Sequence, residues 1–308
     1  MHDLSPATKL KKLLEQPGLL VFPGCHDAIS AKLCEQAGFD SAFMSGFAVS
    51  ASLLAQPDTG LISYAELLDQ GRNICSAVSI PIWGDGDTGF GNAINIKRTV
   101  QGYAQAGFAC IMLEDQSAPK RCGHTKGKSV VEREEAFLRI QAAVDARNEG
   151  ADILVMARTD ARATHSLEEA IYRANVFHEI GADITFLEAP ESMEEMHQYC
   201  NSVPGYKFAN LIEHGKTPLV SHDQLAEMGY KIAVYPLTLL NVSILAMQTA
   251  LSALKNSEKP SPVLGFDELT KAVGFQDYYR EEQRYVQIAD FKPKNSTKGK
   301  KSLSVNKS

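Results

Sequence analysis

Eight short runs of apolar and β-branched residues recur along the chain, separated by longer segments that mix polar and apolar positions. Most of the runs are continuously apolar and do not alternate with polar residues. This pattern is typical of parallel β-strands that are covered on both faces by other parts of the protein. The runs occupy residues 19–23, 41–44, 80–84, 110–113, 153–157, 184–187, 207–209 and 232–235.

The segments between these runs carry apolar residues at helical spacing. The clearest is 133–148, in which apolar side chains recur every three or four residues and therefore share one face. Capping boxes indicate where helices begin, because a Ser and a Glu or Gln three residues later can each satisfy a free backbone N–H. The four boxes are Ser63 with Glu66, Ser166 with Glu169, Ser192 with Glu195, and Ser221 with Gln224.

A strand–helix unit repeated eight times favours an α/β fold whose strands close into a (β/α)8 TIM barrel. A doubly wound open sheet is the alternative that the pattern leaves open. We find no linker that would divide residues 1–290, so we predict one catalytic domain there. Residues 291–308 contain six Lys and four Ser and too few apolar groups to offset the entropy of folding, so we expect a disordered tail.

Composition and charge argue against two kinds of partner. The formal net charge of −6 provides no diffuse basic surface for nucleic acid. The chain lacks both an apolar signal segment at its start and any apolar run of about 18 residues, so no membrane contact is predicted. Six cysteines without a CxxC pair argue against a disulfide framework and a structural zinc site. Together these features predict a cytoplasmic protein.

Acidic residues cluster after the third and fourth apolar runs. Asp85 and Asp87 lie in GDGDTGFGN, whose glycines let the backbone wrap closely around a ligand, and Glu114 ends the next run. Because parallel strands end at one mouth of a barrel, these carboxylates should lie together and repel unless a cation binds them. An all-oxygen donor set favours Mg²⁺, with Mn²⁺ as a substitute. A Gly- and Asp-rich turn that only caps the strand is the alternative.

Cys122 stands apart from the other cysteines because it follows Lys120 and Arg121 in KRCGH. Two adjacent cations should lower the pKa of its thiol from about 8.5, which would allow proton exchange near neutral pH. Cys25, at the end of the first run, stays ambiguous. The remaining four suit small buried apolar positions, namely Cys34, Cys75, Cys110 and Cys200.

The run EDQSAPKRCGHTKGKSVV, together with GDGDTGFGN, ARTDA, LEAP and ANLIEHGKTP, resembles the isocitrate lyase/phosphoenolpyruvate mutase superfamily. The likeness covers residues 5–285 and is closest to the 2,3-dimethylmalate lyase, petal-death-protein and methylisocitrate lyase branch, since KRCGH resembles the signature of the carbon–carbon lyases. It implies that Asp87 binds Mg²⁺ directly, while Asp85 and Glu114 hold it through water. It also implies a homotetramer in which a C-terminal helix is swapped between subunits.

The resemblance further implies that Cys122 lies on a mobile loop and protonates the carbanion left when a carbon–carbon bond breaks. Catalysis is assigned to Cys122, Arg158, His124 and Lys120. Substrate contacts are assigned to Ser45, Gly46, Phe47, Asp58, Gly123, Arg158, Glu188, Asn210 and Glu213. For Arg158, an internal ion pair with Asp160 or Glu188 is the structural alternative.

Three residues depart from the methylisocitrate lyase pattern, which has Tyr, Gly and Arg where this chain has Phe43, Phe47 and Asn241. Without the Arg, one carboxylate of a tricarboxylic substrate would be buried unpaired, which is costly. We therefore expect the substrate to be a small malate-type 2-hydroxy dicarboxylic acid with alkyl groups, cleaved through an enolate to pyruvate and a short carboxylic acid. Three alternatives stay open: an oxaloacetate hydrolase or decarboxylase, a carboxyphosphonoenolpyruvate phosphonomutase, and a catalytically silent ligand-binding barrel.

Overall fold

The eight predicted strands form a closed parallel barrel in the computed structural model, which describes residues 4–289. Each strand pairs in parallel with the next one in sequence, and β8 pairs with β1, so no free sheet edge remains among them. The barrel prediction is confirmed, and the open sheet is excluded. The strands are β1 Leu20–Cys25, β2 Ala42–Met44, β3 Ile82–Asp85, β4 Cys110–Glu114, β5 Leu154–Thr159, β6 Ile184–Leu187, β7 Tyr206–Asn210 and β8 Ile232–Tyr235.

Helices alternate with these strands, as the sequence predicts, and α6 has the predicted bounds. The helices of the barrel unit are α1 Pro6–Glu15, α2 Ala28–Gln36, α3 Gly46–Leu54, α4 Tyr64–Ala77, α5 Ala93–Ala106, α6 Arg133–Asn148, α7 Ala161–Thr164, α8 Leu167–Ile180, α9 Met193–Ser202, α10 His222–Met228 and α11 Thr238–Lys255.

The four predicted Ser residues all cap their helices, each accepting a hydrogen bond from the backbone N–H three residues later. The boxes at Ser63 and Ser221 are complete, because Glu or Gln returns the second hydrogen bond. Glu169 and Glu195 instead form ion pairs with arginine side chains. At Ser166 and Ser192, therefore, only the hydrogen bond from the backbone N–H to the Ser side chain is formed.

Side chains from the strands fill the barrel, so it is a packed core and not a pore. Phe22, Trp83, Met156 and Phe208 meet inside it and are almost completely buried. Trp83 donates its indole N–H to Ser41 Oγ at 2.8 Å, which satisfies the polar atom of the largest side chain in this core. Because the interior is filled, a ligand site belongs at the mouth of the barrel.

The chain divides into two compact units, residues 1–258 and 259–308, and the barrel lies in the first. In the second unit the described residues form α12 Phe266–Val273 and α13 Phe275–Ala289. The assignment of residues 1–290 to one catalytic domain stays a prediction. The predicted tail over 291–308 lies outside the described residues.

No helix among residues 4–289 combines the length and apolar character needed to span a bilayer. The cytoplasmic location stays a prediction.

Close packing at Gly71 of α4 gives a test of the core. A Cβ atom there would lie 2.2 Å from Phe108 Cζ, and the Phe108 ring is buried and stacked on Tyr103 with centroids 4.7 Å apart. Helix propensity alone would make Gly71→Ala stabilising by about 1 kcal/mol. We predict instead that overpacking lowers the free energy of unfolding by about 1–3 kcal/mol in chemical denaturation. Asn73→Ala, on the exposed side of α4, is the control. A neutral or stabilising Gly71→Ala would contradict this packing.

Candidate active site

A small cavity lies at the carboxyl ends of the strands. Ten of the residues predicted from the sequence line it: Ser45, Phe47, Asp58, Asp85, Cys122, Gly123, His124, Arg158, Glu188 and Asn210. Of the remaining predicted residues, Gly46, Asp87, Glu114 and Lys120 each contact a residue of this lining. Glu213 does not line the cavity and accepts a hydrogen bond from Thr238 on α11.

The N-terminus of α3 faces the acidic end of the cavity. Ser45 caps this helix, and the backbone N–H of Gly46 donates to Asp85 Oδ2 at 3.1 Å. A Cβ atom on Gly46 would lie 2.6 Å from the same oxygen, so the close approach requires glycine. Asp85 Oδ1 accepts from the backbone N–H of Asp87 at 3.1 Å. Asp87 itself has a φ of 48°, a left-handed conformation that Asp tolerates better than most residues.

Lys120 lies among the carboxylates of this end. Its Nζ is 2.6 Å from Asp58 Oδ1 and 2.8 Å from Asp87 Oδ1, and all three side chains are almost fully buried. Burial works to lower the pKa of Lys120, but the Asp87 and Asp85 carboxylates override it and raise that pKa well above its ordinary value. Lys120 therefore stays charged and neutralises the mouth of the barrel.

The three predicted metal ligands fit a hard divalent cation. Glu114 Oε1 is buried and accepts no hydrogen bond, while the buried oxygens Asp87 Oδ1 and Glu114 Oε2 have ion-pair contacts to Lys120 and Arg158. Burial raises the pKa of Asp87 to about 7 and that of Glu114 well above its ordinary value despite these contacts, so a further cation would favour their ionised forms. Their all-oxygen donor set suits Mg²⁺. Within the described part of the chain no three His, Cys, Asp or Glu side chains are already spaced to hold a metal ion.

The loop that carries Cys122 lies over this mouth. The backbone N–H of Cys122 donates to the carbonyl oxygen of Asp58 at 3.1 Å. Gly123 packs so tightly that a Cβ atom there would lie 2.5 Å from both Arg158 Nη2 and Glu188 Cδ. The loop is therefore closed onto the same end of the barrel as the carboxylates.

The expected lowering of the Cys122 pKa is wrong. Burial raises the pKa of this thiol to about 11, and the nearby Asp58 and Glu188 carboxylates add to the effect. The physical reason is the direction of the neighbouring side chains, since Lys120 points to Asp58 and Asp87 while Arg121 is exposed. The thiol is consequently protonated at neutral pH, which is the state that a proton donor needs.

Arg158 is shared among three carboxylates. Its guanidinium lies 3.1 Å from Glu114, 2.9 Å from Asp160 and 3.2 Å from Glu188. The internal ion pair considered from the sequence is therefore present, and the guanidinium nevertheless lines the cavity. It can contact a substrate only while remaining paired with these acids.

His124 and Asn210 both face Glu188. The backbone N–H of Lys216 donates to His124 Nδ1 at 3.0 Å, so a neutral ring carries its proton on Nε2, which lies 3.0 Å from Glu188 Oε1. Asn210 Nδ2 donates to the same carboxylate at 3.2 Å. Burial works to raise the pKa of Glu188, but Arg158 and His124 lower it well below its ordinary value. Glu188 is therefore ionised.

Aromatic side chains form one wall of the cavity, and only some of them could be predicted from the sequence. Phe43 and Phe47 were singled out, whereas Phe186 and Phe208 were not. The Phe208 ring lies 5.7 Å from that of Phe43 and 4.8 Å from that of Phe186, measured between centroids. The signal was hidden because a continuously apolar strand does not show which residues point inward. Asn241 is exposed and does not line the cavity.

A (β/α)8 barrel with an acidic mouth, and with a protonated thiol in a loop closed over it, defines a class of enzyme suited to proton transfer on a small carboxylic acid. The chain matches the family model described as phosphoenolpyruvate phosphomutase over residues 10–255, and it belongs to that family. This match, together with the relatives of known activity, confirms the superfamily and the branch that the sequence motifs indicate.

Relatives of known activity cover nearly the whole chain. The chain is 42% identical over 287 residues to 2,3-dimethylmalate lyase of Eubacterium barkeri, covering 92% of this chain and 99% of that protein. It is also 42% identical over 289 residues to a chloroplastic carboxyvinyl-carboxyphosphonate phosphorylmutase of Arabidopsis thaliana, with 91% and 85% covered. A 2-methylisocitrate lyase of Aeropyrum pernix is 39% identical over 287 residues, with 92% and 91% covered.

Solved structures show the same fold. Oxaloacetate acetylhydrolase in complex with 3,3-difluorooxalacetate superposes with a TM-score of 0.88 at 33% identity, covering 91% of this chain and 97% of that chain. Phosphonopyruvate hydrolase in complex with oxalate and Mg²⁺ superposes with a TM-score of 0.81 at 29% identity, with 92% and 100% covered. A magnesium ion is thus present in one of these two related structures.

The pKa of Cys122 can be measured directly. We predict that the Cys122 thiol of the wild-type protein has a titration midpoint at pH about 11, because burial disfavours the charged form. The measurement follows thiolate absorbance against pH in the wild type and in Cys122→Ser, and the difference between the two curves belongs to Cys122. Cys75→Ser, at a partly buried cysteine of α4, is the control for the titration of other thiols. A Cys122 midpoint below about 8.5, the value of a free thiol, would contradict the raised pKa.

Proposed function

We propose that the protein is a Mg²⁺-dependent carbon–carbon lyase that cleaves a small substituted malate, such as 2,3-dimethylmalate, to pyruvate and a short carboxylic acid. The observation that carries the proposal is the closure of the Cys122 loop over the cavity that Asp85 lines. The 42% identity to a 2,3-dimethylmalate lyase over nearly the whole chain supports it.

Asp87, Asp85 and Glu114 would hold the magnesium ion, which when bound would supply an electrophile that stabilises negative charge on a substrate oxygen. Lys120 assists the same end because its ammonium is paired with the Asp58 and Asp87 carboxylates and offsets part of their negative charge. Mn²⁺ has the same preference for oxygen donors and is the natural substitute.

The protein's own groups account for the proton. When the bond between the hydroxyl-bearing carbon and its neighbour breaks, the hydroxyl proton would pass to a carboxylate that lines the cavity as the C=O of pyruvate forms, and the electron pair is left on the neighbouring carbon beside a carboxylate. Cys122 Sγ carries a proton at neutral pH and lines the cavity, so it can give that proton to carbon. The N-terminus of α3, with the cap Ser45, favours a substrate carboxylate at the acidic end. Closure of the loop over the cavity excludes water that would otherwise compete for the carbanion.

The aromatic wall favours an alkyl-substituted dicarboxylic acid. Phe43, Phe186 and Phe208 offer apolar contact to methyl groups but no partner for a third carboxylate. Arg158 is already paired with three acids, so it cannot serve as an additional free cation.

Hydrolysis of oxaloacetate to oxalate and acetate is the second candidate. It is favoured by the superposition on oxaloacetate acetylhydrolase, whose TM-score is 0.88. The two reactions share the acidic end of the cavity and differ in whether water is admitted.

We also propose that the protein acts as a homo-oligomer, a tetramer with a swapped C-terminal helix being the arrangement expected from the sequence. The support is the apolar surface of α11, on which Val242, Leu245, Leu251 and Leu254 are exposed. Apolar groups in such number on one helix favour burial against another chain.

Turnover tests the substrate and the acid. We predict that the purified protein with Mg²⁺ releases pyruvate from 2,3-dimethylmalate faster than from 2-methylisocitrate, as measured by coupling to lactate dehydrogenase.

Cys122→Ala should lower kcat by about 10²–10⁴-fold because a positioned acid is lost. Cys75→Ala, which removes a thiol of α4, should leave kcat unchanged. Preference for the tricarboxylate would contradict the substrate, and full turnover by Cys122→Ala would contradict the acid. Release of oxalate from oxaloacetate, without release of pyruvate from 2,3-dimethylmalate, would favour the second candidate.

Metal binding has a readout that does not depend on turnover. We predict that Mg²⁺ raises the melting temperature, with a stabilisation of about 2.7 kcal/mol when the free ion is at 100 times its Kd. Asp87→Asn should lose most of this Mg²⁺-dependent increment, even if removal of a buried charge stabilises the metal-free protein. Asp69→Asn, an exposed carboxylate on α4, is the control and should keep the increment. An increment of equal size in Asp87→Asn and wild type would contradict the assigned ligand.

A further inference from the structure

Lys126 and Lys128 stand two residues apart after KRCGH, yet their surroundings differ. Lys126 is exposed. The side chain of Lys128 is 2% exposed, and its Nζ lies 2.8 Å from Oδ1 of Asp160, a residue with no exposed surface. A lysine buried to this extent loses hydration and rotamer freedom, so its contacts must offset both.

The ammonium of Lys128 contacts the thiol loop as well as the barrel. It donates a hydrogen bond to the carbonyl oxygen of Gly123, the residue between Cys122 and His124. Asp160 directly follows β5, a strand of the barrel wall. A single charged group therefore connects the loop to the end of β5.

Asp160 also fixes Arg158. Arg158 Nε donates to Asp160 Oδ2 at 2.9 Å, and Nη2 donates to Oδ1 at 3.1 Å, so Oδ1 is shared with Lys128. Gly123 packs directly on the same guanidinium, since a Cβ atom there would lie 2.5 Å from Nη2. The loop and Arg158 are thus in contact at Gly123 and are joined a second time through Lys128 and Asp160.

The charges around Arg158 explain why a second cation is needed. Its guanidinium faces Glu114, Asp160 and Glu188, which amounts to three carboxylates for one positive charge. Lys128 supplies another positive charge at Asp160. Without Lys128, the negative charge of the buried acids would be less completely neutralised. The bidentate contact between Arg158 and Asp160 would also lose the ammonium that helps to fix the Asp160 carboxylate.

We propose that Lys128 is a positioning residue, which holds the 120–124 loop closed and Arg158 in its bidentate geometry through the Gly123 carbonyl and Asp160. The expected effect of Lys128 on kcat/KM rests on the proposed function. Its effect on the loop does not, because the accessibility of the Cys122 thiol can be measured without substrate.

Thiol modification tests the loop. Lys128→Met removes the ammonium and keeps an apolar side chain, and Lys126→Met makes the same change at the exposed position. In the full-length protein without substrate, the rate at which N-ethylmaleimide modifies Cys122 is followed by peptide mass spectrometry. We expect Lys128→Met to react at least about tenfold faster, as loss of a hydrogen bond to a charged group predicts. Lys126→Met should react like wild type. Equal rates in wild type and Lys128→Met would overturn the proposal.

Turnover and rescue separate positioning from simple stabilisation. With 2,3-dimethylmalate and Mg²⁺, Lys128→Met should lower kcat/KM about 100-fold, the cost typical of a misplaced catalytic group, and Lys128→Arg should recover part of it. A merely structural lysine would lower the melting temperature but leave the modification rate and kcat/KM of the folded protein unchanged, and that result would overturn the proposal.

Two further outcomes keep the test decisive. If Lys128→Met does not fold, Asp160→Asn weakens the same ion pair from the barrel side and should also speed up modification of Cys122; no change would overturn the proposal. If the wild type shows no turnover but the modification rate responds to Lys128→Met, the substrate assignment fails and the role of Lys128 in the loop is supported.

Discussion

The structure depends on the neutralisation of buried carboxylates at one mouth of the barrel. Asp58 and Asp87 share the ammonium of Lys120, and Asp160 pairs with Lys128. Both lysines lie in the segment that carries Cys122, so closing the loop and neutralising the mouth occur together. Opening the loop would remove these lysines from the buried acids, which is strongly unfavourable unless water or a metal ion replaces them.

The same closure explains the state of the thiol. Closing the loop removes Cys122 from water and places it near Asp58 and Glu188, and both effects raise its pKa. Lys120, two residues before Cys122, does not oppose this, because its ammonium is paired with Asp58 and Asp87. The closed loop therefore neutralises the buried acids and also keeps the Cys122 thiol protonated. The protonated thiol is the form that an acid catalyst needs.

How much could be predicted from the sequence depends on the range of the interaction. The strands, the bounds of α6 and the Ser caps were predictable because they follow from local periodicity and from hydrogen bonds within a few residues. Most of the cavity lining was predictable because the mouth collects whatever follows each parallel strand. The pKa of Cys122 was not, because adjacency along the chain does not fix where Lys120 points. Nor could the sequence distinguish Lys126 from Lys128, since only the folded barrel places Asp160 within reach of one of them.

The charges of the cavity constrain the order in which ligands can bind. Asp58, Asp85 and Glu188 line it, and the guanidinium of Arg158 is shared among acids of the protein itself. A doubly charged organic acid would be repelled by these carboxylates, so the proposed divalent cation would favour its entry by binding before it or together with it. The aromatic wall contributes nothing to that electrostatic balance. The acidic end can therefore set the requirement for metal and carboxylate, while the wall around Phe208 sets which side groups are accepted. Changes in the wall could alter the substrate without disturbing the charges that hold the loop.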